Sequence, residues 1–454
     1  MSLELNTEII DSLIKTLREL VVIPSISLEG PDSPAMKKCA DVVAEQFRSL
    51  GASVEMLDVA GAPSAVFGEF KSTKGNAPTV LLYSHYDVQP VGNIDDWSYQ
   101  PFEPVEHDGR LYGRGASDDK SGIVTHLGAI QLLLDDQLRL PCHVKFLIEG
   151  EEELGSPHAS TFIEKYGEKL NADAVIIADS SHWSVGQPAV TSSLRGVVDC
   201  VLRVRSLNAG VHSGEYGGAV PDALMSISRI ISTLHDDDGA VAIAGLVSSI
   251  ESDVDITEQE MISKAGGVTQ LQTIGRGQVL SRIWAQPAIS VLAIDAPRIS
   301  ESVNLIVPEA SAKISMRIPP GQSADDALTL LKEHLLSVAP WGVSATVTPG
   351  SIAEAFSADL SGPITQAFEN GMAHAWERAP KRIGLGGSIP LVADLQHLLP
   401  KAEIVITGVG EPISRIHGPD ESQDLGELRK NILAEAHALK TVGSMNHNAE
   451  PDKK

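Results

Sequence analysis

The spacing of hydrophobic positions changes along the chain and predicts two kinds of architecture. Near the N-terminus, stretches with an apolar residue every three to four positions, typical of amphipathic helices, alternate with short apolar runs typical of buried strands. The helical stretches cover about residues 7–22, 36–50, 120–135 and 158–169, and the strand-like runs are SVEML, SAVFGEF, TVLLY, HVKFL and AVIIA. This alternation predicts an α/β fold, with a mostly parallel sheet that carries helices on both faces.

A second pattern begins near residue 187, where strand-like runs outnumber helices. The strand-like runs are AVTSSLRGVVDCVLRVRS, read as one long strand or a hairpin, then AISVLAI, SAKISMRI and SATVT, with helices at about residues 222–234 and 324–338. One helix for each pair of strands, twice over, predicts a small ferredoxin-like α+β domain. Helix and strand alternate again from about residue 363. We therefore predict a discontinuous α/β domain of residues 1–186 and 356–454, with residues 187–355 inserted into it.

Composition and charge narrow the functional classes. The chain has 454 residues, 43% of them hydrophobic, and a formal net charge of −25. Such a charge argues against nucleic acid or an anionic membrane as a partner. The three cysteines, Cys39, Cys142 and Cys200, do not suit a disulfide framework. No apolar run approaches the roughly 20 residues of a membrane span, and the amphipathic N-terminus does not resemble a signal peptide. We therefore expect a cytoplasmic protein.

The most distinctive chemistry lies in IEGEEELGS, residues 148–156, where three consecutive glutamates follow a predicted strand. Adjacent carboxylates repel each other, so the cluster is stable only if it is solvated or if cations neutralise it. One interpretation is a solvated acidic loop. The other is a metal site in which one carboxylate binds a metal and its neighbour acts as a base.

Further histidine and acidic residues follow other predicted strands, at the edge where open α/β sheets bind ligands. They are His85, Asp87, Asp179, His417 and, in a glycine-flanked turn before a helix, Asp118. Singly, each has an ordinary structural explanation; Asp118, for example, could cap the helix. Jointly, two histidines and three carboxylates, one of them from the glutamate run, with no cysteine suit a pair of zinc ions, with manganese or cobalt as alternatives.

The chain resembles metallopeptidase family M20, which includes cytosolic dipeptidases, carnosinases, aminoacylases and desuccinylases. The motifs that carry the resemblance are SHYDVQP, LYGRGASDDK, IEGEEELGS, NAGVHSGEYGG, GGSIP and IHGPDE, and they span nearly the whole chain in the order found in the family. The resemblance implies five metal ligands: His85 and Asp179 on one metal, Glu153 and His417 on the other, and Asp118 bridging both.

The resemblance also implies how the site works. Glu152 would be the general base that takes a proton from a water held between the metals, and Asp87 would orient the imidazole of His85. The Asp118–Asp119 peptide bond would be cis. Because three glutamates stand in a row, the register depends on the family pattern, which places the functional pair directly before Leu154-Gly155-Ser156.

The inserted domain would be a lid and dimerisation domain, which makes the protein a homodimer. By resemblance, His212 reaches the partner subunit's active site and stabilises the tetrahedral intermediate, although a glycine-rich surface loop would also explain it. Arg317 would bind the carboxylate of the substrate, and Asn304 would add a polar contact. Gly386, Gly387 and Ser388 would form a backbone-rich loop near the metals; a tight turn alone would also explain them.

We expect a two-metal hydrolase that cleaves the amide bond of dipeptides. Asp179 favours this class because the deacylases and carboxypeptidases of the family mostly carry glutamate there, and the long insert resembles the carnosinase-like branch. That branch also supplies a substrate-binding histidine late in the insert, yet no histidine stands between His334 and His374. The alternatives are an N-acyl amino acid deacylase or desuccinylase, a carboxypeptidase of the same family, a non-catalytic protein of this fold, and a phosphoesterase.

Overall fold

The chain forms two compact units in a computed structural model that describes residues 3, 5–72, 74–135, 140–249, 252, 254–387 and 389–445. Unit 1 comprises Met1–Ser192, Ala358–Ile383 and Ile389–Lys454, and unit 2 comprises Ser193–Ser357 and Gly384–Ser388. Ser388, one of the residues singled out in the sequence, lies outside the described residues.

The helices and strands are numbered in chain order. The helices are α1 (Thr7–Val21), α2 (Pro34–Ser49), α3 (Lys120–Asp135), α4 (Ala159–Tyr166), α5 (Ser213–Tyr216), α6 (Ala223–Ser232), α7 (Glu258–Lys264), α8 (Val279–Trp284), α9 (Ala324–Ser337), α10 (Pro363–Trp376), α11 (Pro390–Leu398) and α12 (Leu425–Val442). The strands are β1 (Ser53–Leu57), β2 (Ala65–Phe70), β3 (Thr79–His85), β4 (Val105–His107), β5 (Arg110–Tyr112), β6 (His143–Glu149), β7 (Ala174–Ser181), β8 (Ala189–Leu194), β9 (Gly196–Arg205), β10 (Val211–His212), β11 (Ala288–Asp295), β12 (Leu305–Ile306), β13 (Glu309–Ile318), β14 (Ser344–Ala353), β15 (Phe356–Ser357), β16 (Lys381–Leu385), β17 (Glu403–Gly410) and β18 (Ser422–Asp424).

The main sheet of unit 1 has a parallel centre and antiparallel flanks. Its strand order is β1-β2-β6-β3-β7-β17-β8. The pairings of β3 with β6, of β3 with β7 and of β7 with β17 are parallel, whereas β1 with β2, β2 with β6, and β8 with β17 are antiparallel. The expected mixed α/β fold with a mostly parallel central sheet is therefore confirmed. The four central strands, β6, β3, β7 and β17, are parallel, so their carboxyl ends lie at the same edge of the sheet.

The central strands are buried on both faces. Val80, Leu82 and Phe146 join a core with helices α1, α2, α3, α10 and α12, while the alternate residues Leu81 and Leu147 point to the opposite face and are also fully buried. Strands that are apolar at every position are typical of parallel sheets covered on both sides. The packing of these strands holds their carboxyl ends in place, and polar residues follow at that edge of the sheet.

Unit 2 contains a four-stranded antiparallel sheet with the order β11-β13-β9-β14. The strands of this sheet and the two helices that pack on it follow each other along the chain as β9, α6, β11, β13, α9 and β14. Helices α6 and α9 pack their apolar residues onto one face of the sheet, where Ile227 and Leu331 are fully buried. The run AVTSSLRGVVDCVLRVRS is neither one strand nor a hairpin. It divides into β8 and β9, which join different sheets because the chain passes from unit 1 to unit 2 within it.

Candidate metal centre

Acidic and histidine side chains converge at the carboxyl edge of the central strands in unit 1. His85 ends β3, Asp179 lies near the end of β7, Glu152 and Glu153 form a 3₁₀ turn after β6, Asp118 lies in the turn before α3, and His417 lies in the loop between β17 and β18. The sequence separates these residues widely, and the sheet topology brings them together.

The carboxylate of Asp118 lies between the two histidines. Its Oδ1 atom is 3.1 Å from Nε2 of His85, and its Oδ2 atom is 3.0 Å from Nε2 of His417. Nε2 of His417 is also 3.1 Å from Oε2 of Glu153, and Nε2 of His85 is 3.8 Å from Oδ1 of Asp179. Asp118 therefore presents one oxygen to each side of the site, as a bridging ligand would.

Two groups of three side chains could each hold a metal ion. The His85 group consists of His85, Glu152 and Asp179, and the His417 group consists of Asp118, Glu153 and His417; within each group the donor atoms lie within 4.8 Å of one another. One imidazole with carboxylates in each group suits a divalent transition metal. The residues present therefore fit a pair of such ions.

The electrostatics of the site are dominated by buried negative charge. Burial, and next the charge of Asp179, raise the pKa of Glu152 well above its usual value. Burial raises the pKa of Asp179 to about 6, with Asp118 and Glu153 adding to the effect. Hydrogen bonds to Asp118 and Glu153 raise the pKa of His417 to about 10. Two divalent cations would neutralise this excess of carboxylates, which supports the fit to a metal pair.

Asp87 contacts both His85 and the glutamate turn. Nδ1 of His85 is 3.1 Å from the carbonyl oxygen and 3.2 Å from Oδ1 of Asp87. Both oxygens are acceptors, so Nδ1 carries a proton and Nε2 is the nitrogen that faces the other side chains of the site and could bind a metal. Oδ2 of Asp87 accepts a hydrogen bond from the backbone N–H of Glu153 at 3.1 Å. Asp87 thus links the two groups.

Gln89 was not recognised in the sequence, although it shapes the position of Glu153. Its backbone N–H donates to Oε1 of Glu153 at 3.1 Å, and its side-chain amide donates to Oε2 at 2.9 Å and to the carbonyl oxygen at 3.0 Å. The signal was available in the motif SHYDVQP, where Gln89 follows Asp87 by two positions.

The turn that carries Asp118 contains a second, fully buried aspartate. The Asp118–Asp119 peptide bond is cis. The hydroxyl of Ser84 and the backbone N–H of His85 donate to Oδ2 of Asp119, the latter at 3.2 Å. A Cβ atom at Gly122 would lie 2.3 Å from Oδ1 of Asp119, so this position requires glycine. Asp119 therefore ties the Asp118 turn to the end of β3.

The third glutamate of the acidic run has a different environment. The carboxylate of Glu151 accepts hydrogen bonds from the backbone N–H of His158 at 3.0 Å and from its Nδ1 at 2.9 Å. Glu151 belongs to neither group, whereas Glu152 belongs to the His85 group and Glu153 to the His417 group. The acidic run is therefore divided between one structural carboxylate and two that face the site.

Unit 2 carries the remaining residues that the sequence singled out. His212 lies in β10 opposite Leu305 of β12, and its Nδ1 accepts a hydrogen bond from the backbone of Gly214 at 3.0 Å. Asn304 is close by, because its carbonyl oxygen accepts from the backbone of Ser213 at 3.1 Å. The structure thus brings His212 and Asn304 together.

Arg317 lies in β13 of unit 2 near a second arginine that sequence reasoning missed. Burial, and next the charge of Arg317, lower the pKa of Arg195 to about 10. Nε of Arg195 lies 3.4 Å from the carbonyl oxygen of Gly386, which precedes Gly387 in the glycine loop. Within the described ranges, Arg195 and Arg317 form no ion pair with a carboxylate. The two guanidinium groups are therefore available to an anion.

The family model for "Peptidase family M20/M25/M40" matches residues 81–441. The chain is 35% identical over 439 residues to the cysteinylglycine-S-conjugate dipeptidase of Corynebacterium striatum, covering 95% of this chain and 96% of that protein. It is 28% identical to the Cys-Gly metallodipeptidase dug1 of Schizosaccharomyces pombe, again covering 95% and 96%. An M20 family metallo-carboxypeptidase structure from Sulfolobus solfataricus superposes with a TM-score of 0.82 at 26% identity, covering 95% of this chain and 99% of the other.

These similarities and the convergence of acidic and histidine side chains define a peptidase fold with a candidate metal centre. The chain belongs to peptidase family M20/M25/M40, as the motifs in its sequence indicated. Among the helices that the structure describes, none has the length and apolar character needed to cross a membrane.

Proposed function

We propose that the chain is a two-metal dipeptidase whose ligands are His85 and Asp179 on one ion, Glu153 and His417 on the other, with Asp118 bridging. The observation that carries this proposal is the position of the Asp118 carboxylate, with one oxygen within 3.1 Å of each histidine. Zinc is the proposed metal, with manganese or cobalt as alternatives. The dipeptide substrate class rests on the relatives named as dipeptidases.

The two cations, when bound, would polarise the scissile carbonyl and lower the pKa of a water molecule between them. Glu152 lies with His85 and Asp179, where its carboxylate can take the proton from the attacking water and later deliver it to the leaving amine. Asp87 holds His85 in the tautomer that directs Nε2 into the site. The buried surroundings of Glu152 strengthen these electrostatic interactions.

Unit 2 is proposed to be an inserted ferredoxin-like lid and dimerisation domain, with boundaries near residues 187 and 355. In this role Arg317, supported by Arg195, binds the carboxylate of the substrate, since paired guanidinium groups suit an anionic ligand. Asn304, Gly387 and Ser388 are proposed to contact the substrate through polar groups. His212 is proposed to act in the partner subunit's active site on the developing oxyanion.

The proposed homodimer forms through β11, which is an edge strand of the unit 2 sheet. Val291, Leu292 and Ile294 are exposed along this strand, and an exposed apolar edge is a template for pairing with a second copy. Sedimentation velocity should give a dimer for the wild-type chain and a monomer for Ile294→Lys. A wild-type monomer at micromolar concentration would contradict the proposed assembly.

The cysteine environment supports a cytoplasmic location. Cys39, Cys142 and Cys200 are free and buried. Free thiols persist in reducing compartments, whereas secreted proteins tend to pair them.

A substrate panel separates dipeptidase activity from the other activities of the family. The purified, metal-loaded chain should hydrolyse free dipeptides such as Cys-Gly and β-Ala-His, and it should lose activity when the C-terminal carboxylate is amidated. N-acetyl and N-succinyl amino acids test the deacylase and desuccinylase alternatives, and tripeptides that lose their C-terminal residue test the carboxypeptidase alternative, which the Sulfolobus solfataricus relative favours. Faster cleavage of any of these than of every dipeptide would overturn the proposed substrate class.

A further inference from the structure

The His417 group depends on irregular backbone. Asp118 lies in a turn, and His417 lies in a loop where its φ angle is 63°, with positive φ angles also at Arg415 (53°) and Asp420 (58°). Residues other than glycine are unfavourable in this left-handed region and persist there only when the surrounding structure fixes them. The metal ligands on this side of the site therefore need contacts that hold their loops in place.

Glu421 holds the turn that carries Asp118. Its side chain is fully buried. Its Oε1 atom accepts hydrogen bonds from the backbone N–H groups of Ser117 and Asp118, each at 3.0 Å, and its Oε2 atom accepts from Gly115 at 3.1 Å. One carboxylate thus satisfies three backbone donors in a turn that has no regular hydrogen-bonding pattern.

Arg114 extends this network to the loop that carries His417. Its side chain is 1% exposed, and its Nη1 atom is 2.6 Å from Oε2 of Glu421. Its Nη2 atom donates to the carbonyl oxygens of His417 at 3.0 Å and of Pro90 at 3.3 Å. The guanidinium group lies over the ring of Trp97, 5.3 Å from its centroid, which further restricts its position.

The contact between Arg114 and Pro90 connects Arg114 and Glu421 to Glu153, the remaining member of the His417 group. Pro90 follows Gln89, whose three hydrogen bonds hold the carboxylate and carbonyl groups of Glu153. The Arg114–Glu421 pair therefore touches the segments that position every member of the His417 group. In the part of the chain that the structure describes, the pair makes no hydrogen bond to a residue of the His85 group.

We propose that the buried Arg114–Glu421 ion pair is a positioning pair for one of the two metal positions. It sets the geometry of Asp118, Glu153 and His417, and hence their affinity for a metal ion, without contacting metal or substrate. Removing one partner would weaken the His417 position more than the His85 position, because His85 and Asp179 are carried by regular strands. This inference rests on the proposed two-metal function.

Calorimetric titration of the metal-free full-length chain with Co²⁺, followed in parallel by visible absorption, tests this inference. In Glu421→Gln and Arg114→Lys, the ion at the His417 position should lose about 10- to 100-fold in affinity, the usual effect of removing an outer partner of a ligand. The ion at the His85 position, which shares only Asp118 with this network, should lose less than about tenfold. Lysine keeps the charge of Arg114 but cannot reach Glu421, His417 and Pro90 with one rigid fork, so it remains informative if Glu421→Gln does not fold.

The matched control is Glu435→Gln, which alters a buried carboxylate of unit 1 that pairs with His126 and contacts no residue of either group. It should leave both affinities unchanged. Unchanged affinities in both Arg114 and Glu421 variants, or equal losses at the two positions, would overturn the positioning role. A wild-type chain that binds fewer than two ions would overturn the proposed function as well, and the two failures are therefore distinguishable.

Discussion

Replacing Glu152 by glutamine separates its role as a base from its role in the fold. The variant keeps the shape and one oxygen of the side chain but removes the carboxylate that faces His85 and Asp179. General acid–base catalysis contributes about 10²- to 10⁴-fold to a rate. At about 1.36 kcal/mol for each factor of ten, the barrier to hydrolysis should rise by about 2.7–5.4 kcal/mol.

The stability of the metal-free variant should not fall. Burial and the charge of Asp179 already disfavour the ionised form of Glu152, so a neutral amide relieves repulsion among the acidic side chains. Urea unfolding should therefore give a free energy of unfolding equal to or above that of the wild type. Inductively coupled plasma mass spectrometry should still detect two ions per chain, because the five proposed ligands are intact.

The neighbouring glutamate provides the matched control. Glu151 contacts His158 rather than the site, so Glu151→Gln should keep nearly wild-type kcat with the best dipeptide. The reasoning would be refuted if Glu152→Gln retained wild-type kcat with both ions bound. It would also be refuted if Glu151→Gln were the more damaging change, because the register of the acidic run would then be wrong.

Two further predictions concern the core and the buried charges of unit 1. The ring of Phe146 is fully buried and stacks on Phe47 with centroids 3.8 Å apart. Phe146→Ala should therefore lower the free energy of unfolding, measured in urea, by about 3–5 kcal/mol. A loss below about 1 kcal/mol would show that Phe146 does not lie in a packed core. Burial opposes protonation of His126, but Glu435 outweighs it and raises the pKa of His126. The stability that this ion pair adds is therefore full below the ordinary histidine pKa of about 6.5 and is lost as pH rises through the raised value. Glu435→Gln should accordingly cost more stability at pH 5.5 than at pH 9, and a cost that grew with pH would contradict the assigned shift.

The parts of the fold that the sequence predicted are those with strong local patterns. The run TVLLY was recognised as a strand because its residues, which lie in β3 and are buried on both faces, are mostly apolar. The last helix, α12, begins at Leu425 after Asp424, whose side chain caps it. The short strands β4, β5 and β18 were not predicted. Each of them has three residues, and together they form a separate three-stranded sheet. Strands of this length are too short to show an alternation of apolar and polar residues.

The sequence predicted the residues of the candidate site that stand in recognisable motifs. It did not predict the residues that act through contacts with the backbone. His85, Asp118 and Glu153 stand in recognisable motifs, so they could be named before the structure. Arg114 lies in the motif of Asp118, and Glu421 lies in the motif of His417, but their importance comes from hydrogen bonds to backbone groups of distant segments. Such contacts depend on loop conformation, which residue types and spacing alone do not specify.

The positions of the metal ions test the central claim most directly. Anomalous diffraction from crystals grown with zinc should show two peaks about 3.5–4 Å apart, the usual separation in two-metal sites. One peak should lie beside His85 and Asp179 and the other beside Glu153 and His417, with Asp118 contacting both. A single peak, or zinc bound away from these residues at full occupancy, would contradict the proposed two-metal centre.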